Sequence, residues 1–175
     1  VFSCWDKLKE KLGGKFIFLF LDFDGTLAPI VQRPDKAKAS PEALRIIKSL
    51  SERLDCKLAI ISGRSLEDIK KRVGLKNIIY SGNHGMQVES PTIKYEPKTS
   101  SGQIKALNKI KKELVEKVSK IKGVFIEDKG LSIALHFRQV NNNKVNVIKT
   151  IFREVTILPS VQKAIKIRSG KKVLE

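Results

Sequence analysis

Two aspartates stand two positions apart where an apolar run ends, and this spacing suits them to act together. Residues 15–21 (KFIFLFL) form the run, and Asp22, Phe23, Asp24 and Gly25 follow it. Side chains two residues apart on an extended backbone point to the same side, so both carboxylates face one way and Phe23 faces the other. Gly25 then permits a tight turn. Such a pair can hold a hard cation, and Mg²⁺ typically takes one or two carboxylates with water and substrate phosphate.

The chemistry that this pair permits is phosphoryl transfer through a covalent intermediate. One carboxylate can attack phosphorus and form an aspartyl-phosphate, while the other handles the proton. The alternative is a polar edge at which a strand ends in an Asp-Gly turn and no reaction takes place. Both interpretations stay open on these residues alone.

The elements around the pair predict an α/β fold with a Rossmann-like parallel sheet. Apolar strands at residues 15–21, 57–61 and 77–80 alternate with helices at 41–54 and 66–73. Ser40 and Pro41 are typical of a helix start, and Gly74 of a helix end. Short right-handed crossovers between such strands make the sheet parallel, with the polar strand ends at one edge.

From residue 85 the pattern changes to that of a small α/β module inserted after the third strand. We expect a hairpin over residues 86–96, a helix over 104–121, strands at 124–127 and 131–138, and a helix over 144–154. A last hairpin is predicted from residues 164–168 and 171–175, turning at Ser169 and Gly170. In the strand over 131–138, Ser132, His136 and Arg138 share the polar face, for which solvent is the expected environment.

Five motifs, in order, resemble a known family. LDFDGTL followed by SGR is similar to the haloacid dehalogenase (HAD) superfamily of phosphatases with an aspartate nucleophile. Within it, the chain resembles the trehalose-6-phosphate phosphatases in five segments: LDFDGTLAPIV (21–31), IISGRS (60–65), SGNHGM (81–86), EDKGLSIALHFR (127–138) and GKKVLE (170–175). The resemblance implies the N-terminal part of the HAD core at residues 1–84 and an α/β cap, which closes over the sugar, at residues 85–175.

The resemblance also implies a role for each matching residue. Asp22 would be the nucleophile and a Mg²⁺ ligand. Asp24 would be the general acid and base, and its main-chain carbonyl a second metal ligand. Ser62, Arg64 and Thr26 would bind the phosphate, although Arg64 could equally serve as a structural residue at the helix start. His84 would line the cleft or hold the turn, and Glu127, Lys129 and Glu175 would bind the hydroxyls of trehalose.

The family also carries a later lysine and a late pair of acids, which this sequence does not show. The core is therefore expected to be incomplete at its C-terminal end, as in a fragment, and the chain as given to be inactive or weakly active. The predicted function is hydrolysis of trehalose-6-phosphate with Mg²⁺. Alternatives are a phosphatase for another sugar phosphate, such as sucrose-phosphate or mannosyl-3-phosphoglycerate, and a non-catalytic sugar-phosphate-binding remnant. A trehalose-6-phosphate synthase partner or fusion is a further expectation.

The composition argues against nucleic-acid binding, membrane spans and cysteine-based sites. The net charge is +17, but most of the 35 basic residues are lysines and only 6% of residues are aromatic, so a solvated surface is favoured over nucleic-acid binding. The longest apolar run, Phe16–Leu21, is far shorter than the roughly 20 residues of a membrane span. Because no signal-peptide pattern is present, we expect a cytoplasmic protein without membrane partners. Cys4 and Cys56 suggest neither a disulfide nor a metal site.

Overall fold

The computed structural model of the protein describes residues 4–157 and 165–175. The chain divides into two compact units, and the boundary lies after Glu96. This is later than the boundary after residue 84 that the motifs suggested, because the hairpin that follows residue 85 pairs with the first sheet. None of the helices in the described ranges is both long enough and apolar enough to cross a membrane.

The first unit is built on a mixed sheet whose first three strands are parallel. Its helices are α1 (Trp5–Leu12), α2 (Pro41–Ser51) and α3 (Leu66–Val73), and its strands are β1 (Ile17–Asp22), β2 (Cys56–Ile61), β3 (Ile79–Gly82), β4 (Gln87–Glu89) and β5 (Lys94–Tyr95). The strand order is β1-β2-β3-β4-β5, parallel up to β3 and antiparallel beyond it. The predicted α/β fold with a parallel sheet is confirmed.

Local signals set most of the helix ends. The Ser40 hydroxyl accepts a hydrogen bond of 3.0 Å from the N–H of Ala43, and Pro41 occupies the first turn of α2. Gly74 ends α3 in the left-handed conformation, with φ of +72°. The prediction that α2 reaches residue 54 is wrong, because the helix ends at Ser51 and Leu54 is 98% exposed.

The helices α2 and α3 cover one face of the first sheet. Ile47 of α2 and Ile69 of α3 join one buried cluster with Leu58 and Ile60 of β2. Because β1, β2 and β3 follow one another in one direction, right-handed crossovers put both helices on the same side.

The opposite face of β1 is exposed, whereas the sequence predicted a strand covered on both faces. Phe16, Phe18 and Phe20, hereafter the aromatic stripe, are 60%, 47% and 56% exposed. The rings of Phe18 and Phe20 contact each other, with centroids 4.3 Å apart. Among the described strands, β1 pairs only with β2, so it is an edge strand.

The second unit is an antiparallel sheet with helices on one face. Its elements are α4 (Ser101–Val118), β6 (Phe125–Asp128), β7 (Ile133–His136), α5 (Val145–Thr156), β8 (Ser169–Gly170) and β9 (Val173–Leu174), and the strand order is β6-β7-β9-β8. A capping box between Ser100 and Gln103 begins α4. Leu114 of α4 and Ile148 of α5 pack against Leu135 of β7 in one buried core.

The last hairpin turns two residues later than predicted. The sequence suggested a turn at Ser169 and Gly170, but these residues form β8, and the chain turns at Lys171 and Lys172. Lys172 takes a left-handed φ of +64° there. Ala164, the predicted start of this hairpin, lies outside the described residues.

Candidate active site

The three parallel strands bring their polar ends to one edge of the first sheet. Asp22 lies beside Ile61 of β2, and Ile61 lies beside Ser81 of β3. Asp24 and Ser62, which follow the first two strands, therefore leave the sheet at the same edge as Asp22. This edge carries the side chains for which the sequence predicted chemistry.

A buried aromatic ring anchors the turn that joins the two aspartates. Phe23 is fully buried, so it points away from both carboxylates, as expected. Its carbonyl accepts hydrogen bonds from Leu27 N–H at 3.1 Å and Ala28 N–H at 2.9 Å, and Gly25 turns the chain with φ of +97°. Partial burial, together with the nearby charge of Asp24, raises the pKa of the Asp22 carboxyl, although a backbone hydrogen bond from Phe23 opposes this shift.

Arg64 binds the carboxylate of Asp24 through two parallel hydrogen bonds. Its Nε donates to Oδ2 at 2.8 Å and its Nη2 to Oδ1 at 2.7 Å. Nη2 also donates to the carbonyl of Pro34 at 2.8 Å, and the guanidinium lies 5.4 Å from the ring centre of Phe23. The Arg64 side chain is only 5% exposed and that of Asp24 is 42% exposed, so this is a charge-assisted contact that is desolvated on the arginine side. The sequence left a phosphate-binding role and a structural role open for Arg64, and in the structure its guanidinium donates to Asp24, Asp68 and the carbonyl of Pro34.

Asp68 and Arg72 extend this contact into a chain of alternating charges along α3. Arg64 Nη1 donates to Asp68 Oδ2 at 2.9 Å, and Arg72 Nε donates to the same oxygen at 2.7 Å. Arg72 also donates to the carbonyl of Ala37. We name Asp24, Arg64, Asp68 and Arg72 the charge chain. It joins the second aspartate of the strand-end pair to the body of a helix.

The charge chain makes the stability of the first unit sensitive to acid. Burial alone would raise the pKa of Asp68, but hydrogen bonds from Arg72 and Arg64 outweigh burial and lower that pKa. A lowered pKa means that the stabilisation is complete above the ordinary value of about 3.9 and is lost as pH falls below it. We expect the difference in unfolding free energy between the natural protein and Asp68→Asn, measured in urea, to shrink below about pH 4.

The control for this titration is Asp6→Asn, which changes an aspartate on α1 whose side chain is 96% exposed. It is expected to leave the unfolding free energy almost unchanged at every pH. If the difference in unfolding free energy between the natural protein and Asp68→Asn stayed constant down to about pH 2, Asp68 would not be an ionised carboxylate stabilised by its arginine partners.

The predicted phosphate-binding residues occupy different environments. Ser62 is buried, and its hydroxyl oxygen accepts a hydrogen bond of 3.1 Å from the N–H of Arg64. Its hydroxyl hydrogen remains a donor, because a hydroxyl both donates and accepts. Thr26 is exposed in the turn after β1.

His84 lies directly against the loop that contains Ser62. Its N–H donates to the Ser62 carbonyl at 3.1 Å, and its backbone is left-handed, with φ of +55°. A Cβ atom added to Gly63 would come within 2.4 Å of the His84 ring, so only glycine permits this approach. The ring itself is exposed at the edge where β1 and β2 end.

The three residues predicted to bind sugar lie on one face of the second sheet. Glu127 on β6 is opposite Ala134 on β7. On the other side of β7, Leu135 pairs with Leu174 of β9, so the next residue of each strand places Glu175 beside Ala134. Lys129 Nζ donates to Glu175 Oε1 at 3.0 Å, and both side chains are largely buried, at 8% and 13% exposure. The opposite face of the second sheet packs against α4 and α5. The face that carries Glu127, Lys129 and Glu175 is therefore the polar face of this sheet.

Some site contacts were not predicted. Asp68 and Arg72, four residues apart on α3, could have indicated a charged pair on one helix face, with Arg64 four residues before Asp68 and just ahead of the helix. His136, predicted to face solvent, instead binds Glu127 Oε2 through its Nε2 at 2.8 Å, whereas Arg138 is exposed as expected.

The strand-end edge offers oxygen donors to a cation. Within residues 4–157 and 165–175, no three His, Cys, Asp or Glu side chains are close enough to hold one metal ion. The donors are instead the Asp22 carboxylate and the main-chain carbonyl of Asp24, to which no described backbone N–H donates. Because Mg²⁺ accepts one carboxylate with waters and a substrate phosphate, these residues fit that ion.

Comparison with known proteins places these features in a family. The family model for trehalose-phosphatase matches residues 20–175. The chain is 32% identical to trehalose-phosphate phosphatase B of Arabidopsis thaliana over 99% of its length and spans 47% of that protein. The fold matches the C-terminal domain of trehalose-6-phosphate phosphatase from C. albicans, with a TM-score of 0.79, 26% identity, and coverage of 97% of this chain and 59% of the other.

A second solved structure shares the fold alone. The C-terminal domain of the Candida albicans trehalose synthase regulatory protein matches with a TM-score of 0.67 and 13% identity, over 97% of this chain and 59% of the other. Because the family model covers most of the sequence, including both aspartates as well as Glu127, Lys129 and Glu175, the chain belongs to the trehalose-phosphatase family of the HAD superfamily.

Proposed function

We propose that this protein hydrolyses trehalose-6-phosphate to trehalose and phosphate. The observation that carries the proposal is the strand-end pair, in which Asp22 is exposed and Asp24 is held by a buried arginine. The family membership supplies the substrate class. Because the chain spans about half of its Arabidopsis relative, the activity is proposed for the protein as its gene encodes it.

The first step uses the two aspartates in different roles. A carboxylate oxygen of Asp22 attacks phosphorus, and the bond between phosphorus and the sugar oxygen breaks as an aspartyl-phosphate forms. For this step Asp24 must carry a proton on an oxygen that Arg64 no longer binds, since Arg64 donates to both of its oxygens in the structure. Asp24 donates that proton to the departing sugar oxygen, so trehalose leaves as a neutral alcohol. Arg64 fixes the carboxylate of Asp24, and the buried ring of Phe23 keeps the turn between the two aspartates in place.

The second step returns both aspartates to their starting state. Asp24, now ionised, takes a proton from water, and the water oxygen attacks phosphorus while the bond to Asp22 breaks. Inorganic phosphate leaves and Asp24 again holds the proton. Ser62, whose hydroxyl hydrogen can be donated, would bind a phosphoryl oxygen, with Thr26 contributing from the neighbouring turn. His84 would line the substrate cleft.

Asp22 and the carbonyl of Asp24 would hold Mg²⁺. When bound, this ion would offset the negative charge of the phosphate and of the nucleophile. The raised pKa of the Asp22 carboxyl fits this requirement, because burial and the neighbouring Asp24 disfavour its charge and a cation would favour it.

The second unit would recognise the sugar. The carboxylates of Glu127 and Glu175 accept hydrogen bonds from hydroxyls, and the ammonium of Lys129 donates to them. A cytoplasmic location and a synthase partner stay predictions of the sequence.

A substrate panel tests the proposal. We expect phosphate release from trehalose-6-phosphate with Mg²⁺ to exceed that from sucrose-phosphate and mannosyl-3-phosphoglycerate by about 100-fold in kcat/KM, because polar groups shaped to one sugar are left unpaired by another. Preference for another ester would reassign the substrate. Calorimetric binding of trehalose-6-phosphate without turnover would indicate a regulatory domain, as the name of the Candida albicans trehalose synthase regulatory protein, which shares this fold, suggests.

A further inference from the structure

The polar face of the second sheet, which carries Glu127, Lys129 and Glu175, also contains a histidine–carboxylate contact that the proposed function does not use. Nε2 of His136 lies 2.8 Å from Oε2 of Glu127. An ionised carboxylate only accepts hydrogen bonds, so the imidazole donates from Nε2. Both side chains are about one-fifth exposed, at 21% and 20%, so the contact is partly shielded from water.

The strand register explains why this contact forms. Glu127 is opposite Ala134, and His136 is two residues further along the same strand, so the pair is diagonal on one face. His136 itself lies between Phe125 on one neighbouring strand and Val173 on the other. The centroids of the His136 and Phe125 rings are 5.8 Å apart. These apolar neighbours limit the directions in which the imidazole can turn.

Glu175 is held in a similar way on the far side of Ala134. Lys129 and Ser132 both donate to its Oε1 atom. The two glutamates therefore lie one strand to either side of a fully buried alanine, with their backbones about 10 Å apart. The arrangement is two fixed carboxylates separated by a small side chain.

We propose that His136 is a positioning residue for sugar recognition, which fixes Glu127 by one oxygen and directs the other oxygen to a sugar hydroxyl. This inference rests on the proposed function, because it assigns Glu127 to sugar binding. In the described part of the chain, the contact of the Glu127 carboxylate with His136 uses Oε2. A side chain that is already ordered loses less rotamer freedom when it binds a ligand, so binding is tighter.

The test compares a substrate that carries the sugar with one that lacks it. In the protein as its gene encodes it, His136→Leu removes the donor and His136→Gln retains one. We expect His136→Leu to raise KM for trehalose-6-phosphate by about 3- to 10-fold with kcat changed less than about twofold. For p-nitrophenyl phosphate neither constant should change, and His136→Gln should recover most of the loss.

Two further variants establish that the effect passes through Glu127. Arg138→Leu changes an exposed residue two positions from His136 and should leave both substrates unaffected. In a Glu127→Ala background, His136→Leu should cause no additional rise in KM, because its partner is absent.

The outcomes separate this inference from the proposed function. If the natural protein hydrolyses trehalose-6-phosphate and His136→Leu leaves its KM unchanged, the inference is overturned and the function stands. An equal rise in KM for p-nitrophenyl phosphate, or an additive effect in Glu127→Ala, would also overturn it by revealing a general structural role. If the natural protein neither hydrolyses nor binds trehalose-6-phosphate, the proposed function fails and the inference fails with it.

Discussion

Replacing Asp22 by Asn is expected to reduce phosphate release from trehalose-6-phosphate by at least about 1,000-fold, because an amide cannot form the phosphorylated intermediate. The folded protein should tolerate the change. Burial and the charge of Asp24 raise the pKa of the Asp22 carboxyl, so its ionised form costs stability at neutral pH and Asn removes that cost. Activity should therefore fall while the melting temperature stays constant or rises slightly.

The matched control is Asp55→Asn. Asp55 immediately precedes β2, at the opposite edge of the same sheet from Asp22, and is bound by Arg53 on the surface. Its replacement should leave phosphate release unchanged. Comparable rates for Asp22→Asn and the natural protein would refute the aspartyl-phosphate mechanism, and a large fall in melting temperature would assign the lost activity to unfolding instead.

Replacing Arg64 by Met is expected to lower the free energy of unfolding by about 3 kcal/mol. Methionine fills the space but leaves Asp24 without its two hydrogen bonds and Asp68 with Arg72 alone. The cost is at the lower end for a broken buried pair, because Asp24 and Asp68 keep side-chain exposures of 42% and 30%. Phosphate release should fall by about 100-fold as well, since Asp24 loses its orientation. Urea unfolding and kinetics with trehalose-6-phosphate measure the two effects.

The chain offers a matched control in Arg53→Met. Arg53 binds Asp55 through Nε and Nη2 at 2.8 and 2.7 Å, the same two distances as in the Arg64–Asp24 contact. The side chains of Arg53 and Asp55 are, however, both more than half exposed. Surface pairs contribute little, so Arg53→Met should not change stability measurably. If Arg64→Met and Arg53→Met lowered the free energy of unfolding equally, burial would not be the reason that Arg64 stabilises the fold.

The sequence predicted what depends on neighbours along the chain. The capping by Ser40, the left-handed Gly74 and the strand that ends at Asp22 all follow from local composition, and the structure contains each of them. The parallel pairing of the first strands was also predictable, because short helical crossovers leave few other topologies. The spacing of the two aspartates made them candidates for the same reason, and their catalytic roles stay predictions.

What the sequence did not predict depends on contacts between distant residues. Arg64 and Asp24 are 40 positions apart, and a guanidinium suits a phosphate as well as a carboxylate, so composition could not choose between them. His136 was predicted to face solvent because alternation along a strand gives the face but not the neighbour across it. The same limit applies to the apolar run before Asp22, whose pattern does not reveal that the described helices cover one side only.

The aromatic stripe lies on an exposed strand, and the high net charge affects whether copies of the protein associate through that strand. Within the described residues β1 has a strand partner on one side only, and its other side, together with exposed Phe16, Phe18 and Phe20, is a surface onto which a further strand can add. Copies that each carry a charge of +17 repel one another and oppose such association. Salt shortens the range of this repulsion to about 8 Å at physiological ionic strength. For the residues of this chain, the lysine-rich surface is therefore expected to oppose association through the edge of β1, and this repulsion weakens as ionic strength rises.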